Sequence, residues 1–552
     1  MWIVQRSHVF SWLLLGSACL LLASCSPVET GSNEDFIGPA PQRALVQETT
    51  RAEALRQVNA ATEPATQPSG PIQVTLSQAV LMALENNRAF VVQRYNPPLE
   101  RTLVEQQLAA FDPNFGGSFT FERLSTTAQN LTLGKTFSQS YTPQLALSEF
   151  LPTGTTLALM GQTTINEFPG IPQDKFATTA GFSATQSLLR GFGPDVNYVS
   201  LRQARLDVLN SQYQLRGFAE SLVASTEEAY WNYALAQRQI EIVIQSLGLA
   251  QKQLDDTLER IRVGTVAQTE QAAAEAEVAS RHEALIDARS AADKARITLL
   301  RLLSPGGTTF DREITLLDTP AVPAVELNDP DPYVQVGLKL RPDLNEAKLQ
   351  VNRGDLQIVK TKNGLLPQLD LFANLSRTGY ADSFGASVTN LKSPNYTFLA
   401  GATFSLPPLN RLARAEYTNS VLARDQAMMA VSNMAQLVES DVRTAFIEAR
   451  RTQEQVTATA ATSRLQQETV RAEMERFQVG KSTSLLVSLA QRDLLSAQIA
   501  EVQAVVAYTN SLVELYRLNG SLLLRRNIAS PGDKAVEINA ADLRKYNPPP
   551  AP

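Results

Sequence analysis

Sixty-eight consecutive residues, from about Asp195 to Arg262, contain no proline and carry a helical pattern throughout. At 1.5 Å per residue such a helix is about 100 Å long, which no compact domain accommodates. Within it Leu215, Ala219, Leu222, Thr226, Ala229, Tyr233, Ala236, Ile240, Val243, Leu247, Ala250, Leu254 and Ile261 alternate in steps of three and four. That is the a/d seam of a coiled coil, and it requires a partner helix along its length. The partner follows after Val263-Gly264-Thr265 as an Ala-rich helix of about Ala267 to Leu303, with Gly264 supplying the turn.

The same arrangement recurs as a helix of about Arg411 to Gln478, a turn at Val479-Gly480-Lys481-Ser482 and a return helix of about Thr483 to Leu518. Leu258-Glu259-Arg260-Ile261-Arg262-Val263-Gly264 and Met474-Glu475-Arg476-Phe477-Gln478-Val479-Gly480 place their glycines 216 residues apart. The body therefore reads as two copies of one unit, about 72–325 and 326–525.

Each copy carries strand signals ahead of its long helix. Tyr396, Phe398, Ala400, Ala402, Phe404 and Leu406 alternate with Thr397, Gly401, Thr403 and Ser405, only Leu399 breaking the pattern. In the first copy Phe176, Ala180, Phe182, Ala184 and Leu188 oppose Thr179, Gly181, Ser183, Thr185 and Ser187. One apolar and one polar face suit a transmembrane barrel strand with lipid outside and water inside; a half-buried strand of a soluble sandwich gives the same alternation. Phe111-Asp112-Pro113 and Leu365-Leu366-Pro367 both lead from helix into strand but lie 254 residues apart, 38 more than the turns. The surplus falls between Asn114 and Ser187, where Pro143 to Glu149 and Thr155 to Thr163 read as two additional strands that either enlarge a barrel or fold over it.

The N-terminus sets the compartment. Arg6 precedes an apolar stretch, Val9 to Leu22, too short to span a bilayer and of the length of a secretory signal. It ends in Leu22-Ala23-Ser24-Cys25, similar to the bacterial lipobox, which makes residues 1–24 a lipoprotein signal peptide and Cys25 the lipidation site. Residues 25–71, rich in Thr, Pro, Gln and Ala, read as a flexible tether, and residues 526–552 as a disordered Pro-rich tail.

Composition argues against chemistry. After loss of Cys19 with the signal one thiol remains, and His282 is the sole histidine besides His8. Neither a disulfide nor a metal cluster can be assembled, and His282 reads as a solvated helix residue. No nucleophile elbow or P-loop occurs, so the chain is read as no enzyme, without cofactor or metal. A net charge of -6 without any Lys/Arg run excludes nucleic acid as a partner. Tyr230, Trp231 and Tyr233 read as interhelical packing.

Heptad helices of this length, paired strands, a twofold repeat and a lipobox together resemble TolC-family outer-membrane factors over about residues 72 to 525. Val263-Gly264-Thr265-Val266-Ala267-Gln268-Thr269-Glu270 is similar to the family's first hairpin tip. Leu340-Arg341-Pro342-Asp343-Leu344 and Gln186-Ser187-Leu188-Leu189-Arg190-Gly191 are also familiar. Pro342 suits a first helical position and Asp343 the positive helix end.

The resemblance implies a mainly α fold with β: long antiparallel coiled-coil hairpins plus strands given to one transmembrane β-barrel shared by a homotrimer in the outer membrane of a Gram-negative cell. It implies a passive conduit for efflux or type I secretion, gated at the hairpin tips. Its partners would be outer-membrane lipid, a periplasmic adaptor (membrane fusion) protein and an inner-membrane pump of RND, ABC or similar type. Gly264, Thr265, Gly480, Lys481 and Ser482 would contact the adaptor. Glu270, Leu486 and Leu489 are the candidate pore entrance, because Leu485-Leu486-Val487-Ser488-Leu489 stands where family members often carry aspartates. A structural or adhesive coiled-coil envelope lipoprotein without a pore is the competing reading.

Overall fold

A computed structural model describes residues 71–127, 135–167, 175–303, 310–532 and 534–537. The signal peptide, Cys25, nearly all of the tether and the last fifteen residues lie outside these. Strand β1 (Ile72–Val74) precedes helices α1 (Leu76–Asn86), α2 (Arg88–Gln93) and α3 (Asn96–Leu108). Strands β2 (Asn114–Thr127), β3 (Lys135–Leu151), β4 (Thr155–Glu167) and β5 (Phe176–Ser187) follow. A single turn, α4 (Pro194–Asn197), leads into α5 (Val199–Arg262) and its return helix α6 (Thr269–Leu303). The second half runs β6 (Ile314–Leu316), α7 (Asp331–Leu340), α8 (Pro342–Gly364), β7 (Gln368–Ala381), α9 (Phe384–Thr389) and β8 (Tyr396–Ser405). It ends with α10 (Arg411–Gln478), α11 (Ser484–Leu518) and the short α12 (Leu522–Arg525).

The two hairpins, α5/α6 and α10/α11, are laid side by side, α11 packing on α5 and α8 between α5 and α10. Their cores lie midway along the helices. Val438, Val442, Phe446, Tyr508 and Leu515 form one cluster, while Tyr230, Leu299, Leu300 and Ile314 belong to another. Tyr230 and Tyr233 are buried there as packing residues, donating hydroxyls to the carbonyls of Val74 and Ile314 at 3.2 Å. Those carbonyls belong to β1 and β6, a parallel two-stranded patch that clamps the first hairpin at mid-length. His282 is exposed on α6, as the sequence predicts.

All six long strands form one antiparallel sheet in the order β2-β3-β4-β5-β7-β8. The surplus of the first copy is therefore β3 and β4, inserted into the sheet and longer than predicted. Register propagates one apolar face across every strand. Phe121 stands opposite Tyr141, Leu147 opposite Leu159, Phe182 opposite Leu375, and Leu375 opposite Phe398. The other face carries Thr142, Gln144, Gln162, Ser183, Asn374 and Thr403. Phe115, Phe119, Phe398 and Phe404 are each more than 60% exposed, so among the described residues most of the apolar face is uncovered, α9 lying only over its edge near Thr178 and Gly379. No helix among the described residues is long and apolar enough to cross a membrane.

Three expectations need correction. The predicted seam puts Leu254 inside, but Gln253 and Thr257 are the buried residues there and Leu254 is half-buried. A straight helix drifts by about 20° per heptad, which moves the buried stripe by one residue over this distance. The first long helix is broken at Tyr198 and begins at Val199 rather than Asp195. Finally, the described part of the C-terminal segment, 526–532 and 534–537, is not a disordered tail. Arg526 donates to both carboxylate oxygens of the fully buried Glu227 at 2.6 and 2.5 Å, Ile528 is buried, and the Gly532 carbonyl accepts from Arg216 at 2.8 Å. A polar composition that cannot build its own core is here held by charges buried in the body.

Candidate entrance at the hairpin tips

The two tips share one backbone solution. Gly264 adopts φ +78° and Gly480 φ +71°, the left-handed region in which a Cβ is penalised. The amide of Gly264 donates to Ile261 O at 3.0 Å and that of Thr265 to Arg260 O at 2.9 Å. At the second tip Gly480 donates to Phe477 O at 3.1 Å and Lys481 to Arg476 O at 2.8 Å. Both are Schellman caps, which satisfy the last carbonyls of α5 and α10 and reverse the chain within a few residues. The cap displaces the start of α6 to Thr269, two residues later than predicted.

Side chains distinguish the tips. Thr265 caps locally, its hydroxyl 3.0 Å from Arg260 O, whereas Ser482 reaches back 2.8 Å to Glu473. Lys481 is exposed. Thr483 caps α11 through the Leu486 amide at 3.4 Å. Glu270 sits in the first turn of α6, favoured there by the positive helix end, with one carboxylate oxygen sheltered and without a hydrogen-bond partner among the described residues. Leu485, Leu486 and Leu489 are exposed, while Val487 and Ser488 turn inward. The sequence-predicted entrance residues thus divide between a capped acidic turn on one hairpin and a leucine surface on the other.

The structure brings the tips together through a residue the sequence reading passed over. Arg260 Nη1 donates to Phe477 O at 3.1 Å, and its guanidinium carbon lies 4.5 Å from the Phe477 ring centroid. A second tie runs between α6 and α11: Glu277 holds Arg281 within its own helix and lies 3.7 Å from Arg492. Towards the tips polar residues enter the buried positions, with Gln253, Thr257, Glu277, Arg281, Ser484 and Gln491 set among a smaller apolar cluster of Val470, Ala490 and Leu494, where Ile242, Val243 and Leu495 serve further up. The signal was legible as polar residues at seam spacing, but it needed the drifted register to be seen. A polar seam loses transfer free energy of about 25 cal/mol per Å2 of apolar area not buried. The last turns of the hairpins are held by directional bonds as well as by the small apolar cluster.

The upper ends of the helices are anchored at the sheet. Gly191, at φ +85°, receives the Gly154 turn so closely that a Cβ on Gly154 would lie 2.3 Å from Gly191 O. Arg341, of the Arg-Pro-Asp element, pairs with Asp343 at 3.0 Å and with Asp441 of α10 at 2.8 Å, fixing α8 against the second hairpin.

A sheet with one exposed apolar face, carried on long paired hairpins with exposed, capped tips, is the architecture of a channel-type protein. A model of the outer membrane efflux protein family matches residues 179–304 and 334–521. The chain belongs to that family. Solved structures share the fold. The outer-membrane channel OprN is 18% identical, with 87% of this chain and 97% of that one aligned at a TM-score of 0.61. CusC, whose structures concern transmembrane channel formation, is 16% identical over 87% of this chain and 99% of its own, at 0.60. The Campylobacter jejuni CmeC outer membrane channel is 16% identical over 89% and 95%, at 0.58. No curated protein matches the chain.

Proposed function

We propose that the protein is the outer-membrane conduit of a tripartite efflux or type I secretion system. Three lipid-anchored copies form one pore that is closed at the hairpin tips until a periplasmic adaptor, coupled to an inner-membrane pump, moves them. The carrying observation is the pairing of a sheet with one apolar face and two hairpins that end in matching, exposed caps. The sheet face fits hydrocarbon, and the polar face fits a water-filled lumen.

Gating follows from the helix ends. Gly264, Thr265, Gly480, Lys481 and Ser482 present the surface an adaptor would grip. The Arg260 to Phe477 bond and the Glu277 to Arg492 pair hold the closed arrangement with a few directional contacts, which a docking partner can exchange for its own. Glu270, Leu486 and Leu489 face the constriction, so the closed mouth combines a carboxylate with an apolar ring that excludes water. Passage is passive, and the work of transport is done by the pump. Cys25 carries the lipid that holds the mature chain at the membrane.

The test is the state of the full-length chain in a Gram-negative host. It fractionates with the outer membrane, carries acyl chains on Cys25 by mass spectrometry, and runs as an SDS-resistant trimer that heat converts to monomer. Release of soluble monomer on Cys25→Ser substitution overturns the proposal, because a membrane-embedded trimer stays inserted without its anchor.

A further inference from the structure

The second copy contributes two strands to the sheet, β7 and β8, whereas the first contributes four. We infer that the additional hairpin β3/β4 is barrel wall, so that the trimeric pore has eighteen strands and an exit half as wide again as a twelve-stranded one; this rests on the trimeric conduit proposed above.

The inserted hairpin has the sidedness of its neighbours. Leu145, Leu147, Leu157 and Leu159 continue the apolar face between Phe119 and Phe182, while Gln144 and Gln162 continue the polar one. A hairpin folded over the barrel mouth would have no reason to keep one apolar face in register with the sheet on both flanks. Its lower turn is built into the base of the barrel. Gly193 donates to Thr153 O at 3.2 Å, Ser187 to Gly154 O at 3.1 Å and the Asn197 amide to Pro152 O at 2.8 Å. The polar threonines of the apolar face are shielded too: Thr163 and Thr178 bond each other at 3.0 Å, and Ser387 of α9 covers Thr178 at 2.7 Å.

Closure follows from the edges. β2 and β8 end the sheet and do not pair with each other. Unpaired backbone groups in hydrocarbon cost several kcal/mol each, so both edges need strands, and the copies supply them. Six strands per chain is an even number, which leaves β2 of one copy antiparallel to β8 of the next. With strands about 4.8 Å apart and tilted about 40°, eighteen strands enclose a backbone diameter of about 36 Å and twelve about 24 Å. The outer exit then passes bulkier cargo than the tips admit, and selection rests at the periplasmic mouth.

Single cysteines at Leu145, Leu159, Gln144 and Gln162, with Phe182 and Ser183 as wall controls, test this in whole outer membranes using a membrane-impermeant maleimide and a lipid-soluble one. The inference predicts that Gln144→Cys, Gln162→Cys and Ser183→Cys react with the aqueous reagent, and that Leu145→Cys, Leu159→Cys and Phe182→Cys react with the lipid-soluble one alone. Alternation at 182/183 with aqueous reaction at both Leu145→Cys and Leu159→Cys overturns the wider barrel and leaves the conduit standing. No alternation at either place overturns the conduit as well. Electron cryo-microscopy of the trimer gives the count directly: eighteen strands supports the inference, twelve ends it.

Discussion

Arg260, two residues before the end of the first long helix, lies over the ring of Phe477 and bonds its carbonyl, so one hairpin tip grips the other. Phe477 is itself buried in the penultimate position of α10. We expect Arg260→Ala to loosen the tips with a modest loss of overall stability, about 0.5–2 kcal/mol for a half-buried cation over a ring. Single-channel recording should show a larger open fraction. Arg260→Lys, which keeps the charge without the planar fork, should fall between the two.

At Gly264 and Gly480 the backbone, not the side chain, is the constraint. Proline fixes φ near -65° and has no amide hydrogen, so Gly264→Pro or Gly480→Pro destroys both the left-handed turn and a cap bond. Transport in cells should be abolished while native gels still show the trimer, because the tips lie away from the sheet. Gly→Ala at either site costs about 1 kcal/mol and should leave measurable transport.

The C-terminal segment is a fastener. Arg526→Ala leaves Glu227, which has no solvent exposure, as an unpaired buried carboxylate and should destabilise the chain by about 3–5 kcal/mol. Thermal unfolding followed by helix circular dichroism measures this. Arg525→Ala, at the neighbouring position stacked on Tyr516, should cost much less.

Glu220 gives the fold a pH dependence. Burial pushes its carboxyl up to about 7, against the pull of the Arg216 guanidinium 3.2 Å away. The native state therefore holds a proton that the unfolded chain has already released. Its contribution is fully present below the ordinary carboxylate range and is lost as pH rises through about 7. Melting at pH 5.5 and pH 8 should differ in favour of the lower pH, and Glu220→Gln should shrink that difference.

Most of the architecture was readable because long helices and barrel strands obey strict periods. The turns at Gly264 and Gly480 follow from glycine placement, and the bounds of α10 from the recurrence of the first hairpin's pattern. The inserted β3/β4 hairpin was visible as a 38-residue surplus with alternating residues, but its place in the sheet depends on register with β2 and β5, which no local pattern encodes. The order of the C-terminal segment is not legible locally, since Arg526, Gly532 and Val536 are held by partners more than 180 residues away. Glu270, Leu486 and Leu489 are entrance candidates that the family resemblance of the turns suggests. Arg260 is not among them, because its partner is the backbone of the other hairpin.

Single-channel recording of the purified full-length protein in planar bilayers tests the central claim most directly. The account predicts discrete conductance steps that are mostly closed in the wild type and open more often in Arg260→Ala. Silent bilayers, with insertion confirmed by protease protection of the sheet, would contradict it.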